Sequence, residues 1–330
     1  MEQYVATLLV EIELAEIAGG INTIYIGGGT PTALPVDLLC RVLDAIRHCG
    51  AKTIPETTVE ANPGTLTPDY LQAIKAHGVN RLSIGLQTTH DYLLKAIGRI
   101  HSYSDFLMNF RAARDVGFSN INVDLMFGLP GQTLQNWKDT LNDIIAIAPE
   151  HVSAYSLTPA EDTPLWHSLE IGGITLPSDK ADREMYHVAR ELLVGAGYIH
   201  YELSNFAKPG FASRHNVNCW QRVPYRAFGI GASSFDGQRR WRNTNDLAKY
   251  LAHDFAPRDA EMLSPLDAQS ETMFLGLRLM QGVAEVDVPQ VFMDEVERQI
   301  KNDLLTREGG YVRLTPRGMD LANQVFEGFV

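Results

Sequence analysis

Five polar residues stand at or near the ends of β-branched, apolar segments that are typical of buried strands. They are Thr30, Glu60, Gln87, Asp124 and Thr158. Hydroxyl, amide and carboxylate oxygens accept hydrogen bonds from the hydroxyl or ammonium groups of a ligand. Each residue alone is more typical of a strand-end cap. Because there is one of them at each of five strand ends, we expect a polar ring that binds a ligand.

A run of glycines follows the first of these segments. Residues 23–26 suit a short strand, and Gly27, Gly28 and Gly29 lead from it to Thr30-Pro31. Since glycine lacks a Cβ, the main chain can come close to a ligand here. The spacing fits neither a dinucleotide-binding fingerprint nor a Walker loop. A tight turn between a strand and a helix is the alternative interpretation.

The intervening segments predict a parallel sheet covered by helices. Strands are expected at 23–26, 57–60, 81–86, 121–126, 151–157 and 201–204, and helices at 4–17, 36–48, 133–147, 179–195, from Thr67-Pro68 onwards and up to about residue 117. Strands that alternate with helices of this length form βαβ units, and several units form a full or partial barrel. Functional groups of such barrels lie at the carboxyl ends of the strands.

The predicted order of elements opens on a helix at 4–17, with no strand before it. A βα fold normally begins with a strand, and an unpaired edge is a liability for a parallel sheet. Either another element covers the edge of strand 23–26, or a first strand is missing from this chain.

The last part of the chain differs in kind. Helical patterns at 267–281 and 288–305 precede a hairpin at 307–314 built on Gly-Gly, and Thr315-Pro316 begins a last helix. This order resembles a winged-helix module. Residues 256–330 contain seven Lys and Arg against thirteen Asp and Glu, a net charge of −6, which argues against binding to DNA.

Composition restricts the class of protein. The net charge of −12 argues against nucleic acid as a partner, and three unevenly spaced cysteines suit a reducing, cytoplasmic setting. No apolar run approaches the ~18 residues of a membrane span, and the N-terminus has no signal-peptide pattern. A peripheral contact with a membrane stays open.

Six motifs occur in an order that identifies a family. They are Gly27-Gly28-Gly29-Thr30-Pro31-Thr32, Glu60-Ala61-Asn62-Pro63-Gly64, Ser83-Ile84-Gly85-Leu86-Gln87, Gly98-Arg99-Ile100-His101, Asp124-Leu125-Met126-Phe127-Gly128-Leu129-Pro130 and His215-Asn216-Val217-Asn218-Cys219-Trp220. The chain resembles, over essentially its whole length, the radical S-adenosylmethionine (SAM) family of oxygen-independent coproporphyrinogen III oxidases. Within that family it is most similar to the haem-chaperone group, HemW.

The resemblance implies an α/β fold, a partial (β/α)6 barrel with a small winged-helix-like C-terminal domain. The expected parts are a barrel at 1–205, an extension at 206–255 and a HemN C-terminal-like domain at 256–330. In the family, a first strand leads into a C-x3-C-x2-C loop that holds a [4Fe–4S] cluster. This chain shows neither, so we expect no Fe–S ligands in it and no catalytic competence as written; Cys40, Cys49 and Cys219 lack the spacing.

The resemblance also implies a SAM site. The backbone of Gly28 and Gly29, with Thr30, would meet the amino-acid end of SAM. The nucleoside and methionine portions would be lined by Glu60, Gln87, Arg99 and Asp124, and Thr158 also falls at a binding position. An arginine fork can bind a carboxylate through two hydrogen bonds. The alternative for Arg99 is an ion pair with Glu60 or Asp124.

The motif from His215 to Trp220 resembles one that is associated with haem in the HemW group, where Tyr usually precedes the Trp. Here Cys219 takes its place. Imidazole and thiolate both ligate haem iron, so His215 and Cys219, beside Asn216 and Trp220, are candidate haem contacts. A hydrogen-bonded scaffold role for His215 is the alternative.

Charge suggests where a tetrapyrrole docks. Residues 208–242 contain seven basic residues and one acid, a net charge of +6, and the basic residues are interleaved with Trp220, Tyr225, Phe228, Phe235 and Trp241. Aromatic side chains can cover a porphyrin ring and arginine forks suit its propionates. Arg214, Arg222 and Arg226 are the preferred contacts. Pairing of these arginines with acids elsewhere in the chain is the alternative.

Three functions remain open from the sequence. The first is a haem chaperone of the radical SAM type that binds haem and SAM and passes haem to an acceptor protein, in a chain without the cysteine loop. The second is a coproporphyrinogen dehydrogenase of porphyrin biosynthesis. The third is a protein without a cluster that binds haem or SAM and performs no radical chemistry.

Overall fold

The computed structural model describes residues 1–15, 17, 20–49 and 54–330. They fall into two units. Unit 1 contains residues 1–22, 41–54 and 213–330, and unit 2 contains residues 23–40 and 55–212. The three-part division at 205 and 255 stays a prediction.

The strands of the described residues are β1 (Thr23–Ile26), β2 (Glu56–Ala61), β3 (Arg81–Gln87), β4 (Ile121–Phe127), β5 (His151–Ser156), β6 (Ile199–Glu202), β7 (Asn205–Ala207), β8 (Ser233–Phe235), β9 (Arg239–Arg242), β10 (Arg258–Met262), β11 (Val283–Ala284), β12 (Leu305–Glu308) and β13 (Tyr311–Leu314). The helices are α1 (Glu2–Leu14), α2 (Val36–His48), α3 (Pro68–Ala76), α4 (Asp91–Ala96), α5 (Tyr103–Val116), α6 (Leu134–Ile147), α7 (Pro164–Glu170), α8 (Asp179–Gly195), α9 (Arg214–Trp220), α10 (Leu247–Leu251), α11 (Pro265–Gly276), α12 (Met293–Lys301), α13 (Pro316–Asp320) and α14 (Ala322–Glu327). No helix in the described ranges is long and apolar enough to span a bilayer.

Unit 2 is built on a seven-stranded sheet with the order β1-β2-β3-β4-β5-β7-β6. The first five strands are parallel, which confirms the predicted α/β fold with a partial barrel. In place of a single strand at 201–204, the chain forms the hairpin β6–β7, whose second strand runs antiparallel to β5. The Glu202 carboxylate accepts the Ser204 N–H at 2.9 Å and so fixes the turn. Within the described residues, β1 pairs with β2 alone.

Alternation along the strands gives the sheet two different faces. Leu82, Ile84 and Val123 lie on one face and are fully buried. Helices pack around this apolar layer, and the indole N–H of Trp137 on α6 donates to the Met185 carbonyl of α8 at 2.8 Å. The other face carries the polar residues Glu60, Ser83, Asn122 and His151, and it positions the candidate site.

Unit 1 contains two small antiparallel sheets, β10-β9-β8 and β11-β13-β12. The second sheet includes the predicted hairpin, whose turn places Gly309 and Gly310 at φ 61° and 81°, a region that favours glycine. The helix expected at 288–305 is shorter, since a 3-10 turn precedes α12 and a strand follows it. The sheet β8–β10 was not predicted, because its short strands carry arginines where a strand pattern needs apolar residues.

Candidate functional site

The polar face of the unit 2 sheet brings side chains from four neighbouring strands together. The strand register pairs Glu60 with Ser83, Ser83 with Asn122, and Asn122 with His151. Side chains at paired positions of adjacent strands lie on the same face and within reach of one another. Glu60 is thus on one surface with Ser83, Asn122 and His151, residues of the three following strands in the sheet.

Glu60 is fixed beside the glycine turn. Its carboxylate accepts the Tyr25 hydroxyl at 2.7 Å and the Gly28 backbone N–H at 3.2 Å. A Cβ on Gly27 would stand 2.7 Å from the Glu60 carboxylate, so the close approach requires glycine at that position. Burial, followed by the nearby charge of Glu60, raises the pKa of Tyr25, so its hydroxyl remains a donor.

Gly28 and Gly29 present open backbone to a ligand. Gly28 has φ 81° and Gly29 has φ 156°, and nothing lies within 4 Å of where a Cβ would stand on either residue. Both residues are exposed. The turn therefore leaves room for a ligand against its main chain.

The hydrogen-bond partner of the Arg99 guanidinium is a side-chain amide and not a carboxylate. Its guanidinium donates to the Asn62 side-chain oxygen at 3.0 Å, and the Asn62 amide nitrogen donates to the Thr30 hydroxyl at 2.8 Å. In the described ranges, no carboxylate lies within ion-pair distance of Arg99, so the alternative of an ion pair with Glu60 or Asp124 is wrong. The fork keeps its capacity to bind a carboxylate from outside the chain.

Asp124 accepts hydrogen bonds from two neighbours. The Asn122 amide donates to one carboxylate oxygen at 2.7 Å and the Ser83 hydroxyl donates to the other at 3.2 Å. Burial raises the pKa of Asp124, against the opposing effect of these donors and of the Arg81 charge. The carboxylate is therefore held in one orientation.

A directional chain of hydrogen bonds extends behind Asn122. The Asn122 amide nitrogen already donates, so its oxygen must accept the His151 Nδ1–H, at 2.6 Å. His151 Nε2 then accepts from the Tyr201 hydroxyl at 2.8 Å. Burial lowers the pKa of His151 well below its ordinary value and keeps the ring neutral, as this chain of bonds requires.

Gln87 and Thr158 complete the predicted set. Gln87 ends β3 with φ 76°, after a register shift, and its side-chain oxygen accepts the Tyr155 hydroxyl at 3.1 Å. Thr158 lies exposed in the loop after β5. Strand ends were the signal for both residues. Tyr25, Tyr155 and His151 were missed, although alternation along β1 and β5 could have found them.

The residues present fit SAM. The glycine turn offers open backbone, Arg99 offers a fork without an acidic partner, and Asp124 and Gln87 offer fixed acceptors. A zwitterion attached to a nucleoside needs this combination of a guanidinium, carboxylates and polar main chain.

The residues present do not fit a [4Fe–4S] cluster. Cys40 is buried in unit 2, whereas Cys49 and Cys219 belong to unit 1. Cys49 donates its thiol to the Ile12 carbonyl at 3.7 Å. In the described part of the chain, no group of three or more His, Cys, Asp or Glu side chains could hold a metal ion.

The second predicted site lies in unit 1 on the short helix α9. Ser213 caps the helix by accepting the Asn216 N–H at 3.3 Å. His215 and Cys219 are one helical turn apart and share a face. The Trp220 ring packs 4.3 Å from the Arg278 guanidinium, and its indole N–H has no hydrogen-bond partner among the described residues.

The three arginines proposed for propionates have different surroundings. Arg214 is exposed at the start of α9. Arg222 pairs with the buried carboxylate of Glu271 at 2.8 Å, the alternative that the sequence left open. Arg226 is exposed and stacks on aromatic rings, with its guanidinium carbon 5.1 Å from the centre of the Trp241 ring.

Comparisons with known proteins identify the family and the fold. The radical SAM superfamily profile matches residues 4–144, and the HemN C-terminal domain profile matches residues 263–321. The relative named heme chaperone HemW from Bacillus subtilis is 36% identical, over 94% of this chain and 86% of the relative. The relative of the same name from Escherichia coli is 31% identical, over 94% of this chain and 84% of the relative. The structure of coproporphyrinogen III oxidase (HemN) from Escherichia coli superposes with a TM-score of 0.83, at 21% identity, over 99% of this chain and 82% of that one.

Proposed function

The chain belongs to the HemW family of heme chaperones within the radical SAM superfamily, and we propose that it binds haem and SAM and delivers haem to an acceptor protein. The proposal is supported by the family membership and by the open glycine turn and the Arg99 guanidinium, which has no acidic partner among the described residues, both in unit 2; the candidate haem motif on α9 belongs to unit 1. We propose that the protein works in the cytoplasm, because few, unevenly spaced cysteines suit a reducing compartment.

In unit 2, the chain's own groups would orient SAM. Arg99 would bind the carboxylate of the methionine moiety, and the backbone of Gly28 and Gly29 with Thr30 would hold its amino-acid end. Glu60, Gln87, Asp124 and Thr158 would contact the remaining polar groups. When bound, SAM supplies a sulfonium centre. The described cysteines do not fit a cluster, so the proposal contains no radical step.

In unit 1, His215 is our candidate iron ligand. The two axial positions of a haem lie on opposite sides of the ring. His215 and Cys219 share one helix face and so cannot both ligate one iron. Burial raises the pKa of Cys219 and favours the thiol, whereas a ligand must be a thiolate. Asn216, Cys219 and Trp220 would then pack beside the ring.

Haem titration followed by absorbance tests the proposal. We expect the parent to bind haem, His215→Ala to lose the iron-ligand band shift, and Cys219→Ser to keep it. Arg99→Ala should weaken SAM binding in calorimetry and leave haem binding unchanged. Failure of the parent to bind haem would contradict the chaperone assignment. Turnover of coproporphyrinogen by the parent would favour the oxidase alternative.

A further inference from the structure

The two faces of β9 differ in whether their arginines form salt bridges with carboxylates. Alternation places Arg240 and Arg242 on one face. The Arg240 guanidinium meets the Glu271 carboxylate at 2.5 Å, and the Arg242 guanidinium meets Asp259 at 2.5 Å. The positive charge of this face is therefore neutralised within unit 1.

The other face of β9 carries Arg239 and Trp241, and Arg226 stacks on it. The Trp241 ring centre lies 5.1 Å from the Arg226 guanidinium carbon and 5.6 Å from that of Arg239. Arg226 also lies 5.8 Å from the ring centre of Phe228. We call Arg226, Trp241 and Arg239 the arginine ladder, since both guanidinium groups lie within 5.6 Å of the centre of one indole ring.

The arginine ladder forms no salt bridge with an acid among the described residues, although the charge of Arg239 interacts with the Asp236 carboxylate. Across the residues that the structure describes, no carboxylate lies within ion-pair distance of Arg226 or Arg239. Asp236 is the acid nearest in sequence, and its carboxylate accepts the backbone N–H groups of Gln238 and Arg239, at 2.9 and 2.7 Å. The guanidinium groups of Arg226 and Arg239 lie beside one indole ring without a salt-bridge partner, whereas Arg240 and Arg242 each have one. We therefore expect Arg226 and Arg239 to bind an anion from outside the chain.

The apolar side chains next to the arginine ladder indicate which kind of anion would fit. Met262, the cross-strand neighbour of Arg239 in the register, is 67% exposed, and Trp241 is half-buried. Apolar side chains beside the cations favour a ligand with a flat apolar body. Two guanidinium forks favour two carboxylates or phosphates, because each fork can bind one oxyanion through two hydrogen bonds.

We propose that the arginine ladder is a docking site for a flat dianion, with the haem ring over Trp241 and Met262 and its two propionates on Arg226 and Arg239. This deepens the proposed haem binding and rests on it. It moves the propionate contacts from Arg222, which Glu271 occupies, to Arg239.

Metal-free protoporphyrin IX is the probe, because it keeps the ring and both carboxylates and removes any ligation of iron. Binding is followed by quenching of tryptophan fluorescence. We compare the parent, the double variant Arg226→Gln with Arg239→Gln, and Arg242→Gln as the matched control on the same strand. The dimethyl ester of the porphyrin, which lacks both negative charges, is titrated in parallel.

We expect the double variant to bind the free acid on the order of 100-fold more weakly, since each charged contact changes an affinity by about tenfold or more. The control should stay within about twofold, because exposed ion pairs contribute little. The parent should bind the ester as weakly as the double variant binds the acid. Lysine at both positions should recover part of the affinity.

Two results would overturn the proposal: equal binding of acid and ester by the parent, or unchanged acid binding by a double variant with the parent's melting temperature. If the double variant is unfolded, the comparison of acid with ester in the parent decides alone. A parent that binds the metal-free acid through the arginine ladder but shows no iron-ligand band shift with haem would support the site and contradict haem ligation by His215.

Discussion

The carboxylate of Glu11 on α1 is the centre of a buried cluster, and we predict that replacing it by glutamine destabilises unit 1. Glu11 is 3% exposed. One oxygen accepts the Gly229 N–H at 2.9 Å and the Tyr250 hydroxyl at 2.8 Å, and the other accepts the Asn243 amide at 2.7 Å. All three partners donate, so the position requires a group that only accepts.

The magnitude follows from this count of donors. A glutamine can turn its oxygen towards Gly229 and Tyr250, but its NH2 group then faces the Asn243 amide. Asn243 cannot reverse without loss, because its nitrogen also donates to the Gly229 carbonyl at 2.7 Å. One buried donor is left unpaired, at about 1–3 kcal/mol, and two charge-assisted hydrogen bonds become neutral. We expect Glu11→Gln to lower the free energy of unfolding by about 3 kcal/mol.

Hydrogen exchange followed by mass spectrometry measures this effect locally. A loss of about 3 kcal/mol should accelerate exchange in residues 226–250 on the order of 100-fold, while β4 in unit 2 serves as the internal reference. Tyr250→Phe removes one hydrogen bond and should have a smaller effect. Glu13→Gln, which is exposed on the same helix, is the control. Exchange in Glu11→Gln that is as slow as in Glu13→Gln would refute the reasoning.

Two further predictions concern unit 2. Burial lowers the pKa of His200 from 6.5 to about 4, so its contribution to stability is present above pH 6.5 and is lost as pH falls towards 4. The parent should therefore lose up to about 3 kcal/mol relative to His200→Phe over this window, measured by urea unfolding; a difference that does not vary with pH would contradict the shift. Gly27→Ala should displace Glu60 and weaken SAM binding about tenfold or more, because its Cβ would stand 2.7 Å from the carboxylate. Gly28→Ala has room but takes φ 81°, so it should lower the melting temperature and leave Glu60 in place; equal SAM affinity of Gly27→Ala and the parent would show that the position of Glu60 does not matter.

The parallel strands were predictable because their patterns are local. The strand predicted at 23–26 has the bounds of β1, and that at 121–126 differs from β4 by one residue. Strand-end polarity also led to the prediction of Gln87 and Asp124; Gln87 ends β3, whereas Asp124 lies inside β4. Alternation along β5 could have placed His151 and Tyr155 on the polar face, but the residues to which they bond depend on which strands become neighbours and were not predictable. Arg99 shows the same limit: its motif identified the residue, but only the fold shows that it bonds Asn62 and no acid.

The basic segment at 208–242 shows why a charge count cannot locate a binding site. The sequence gives this segment a net charge of +6, and all of its arginines look equivalent. In the fold, Glu271 lies between Arg222 and Arg240 and neutralises the face of β9 to which Arg240 belongs. Glu271 is far away in sequence and was counted with the acidic C-terminal part. Folding thus separates the arginines of one basic segment into those with a salt-bridge partner, such as Arg222 and Arg240, and those without one among the described residues, Arg226 and Arg239. We therefore propose that the anion binds to the arginines that have no salt-bridge partner among the described residues of the folded chain.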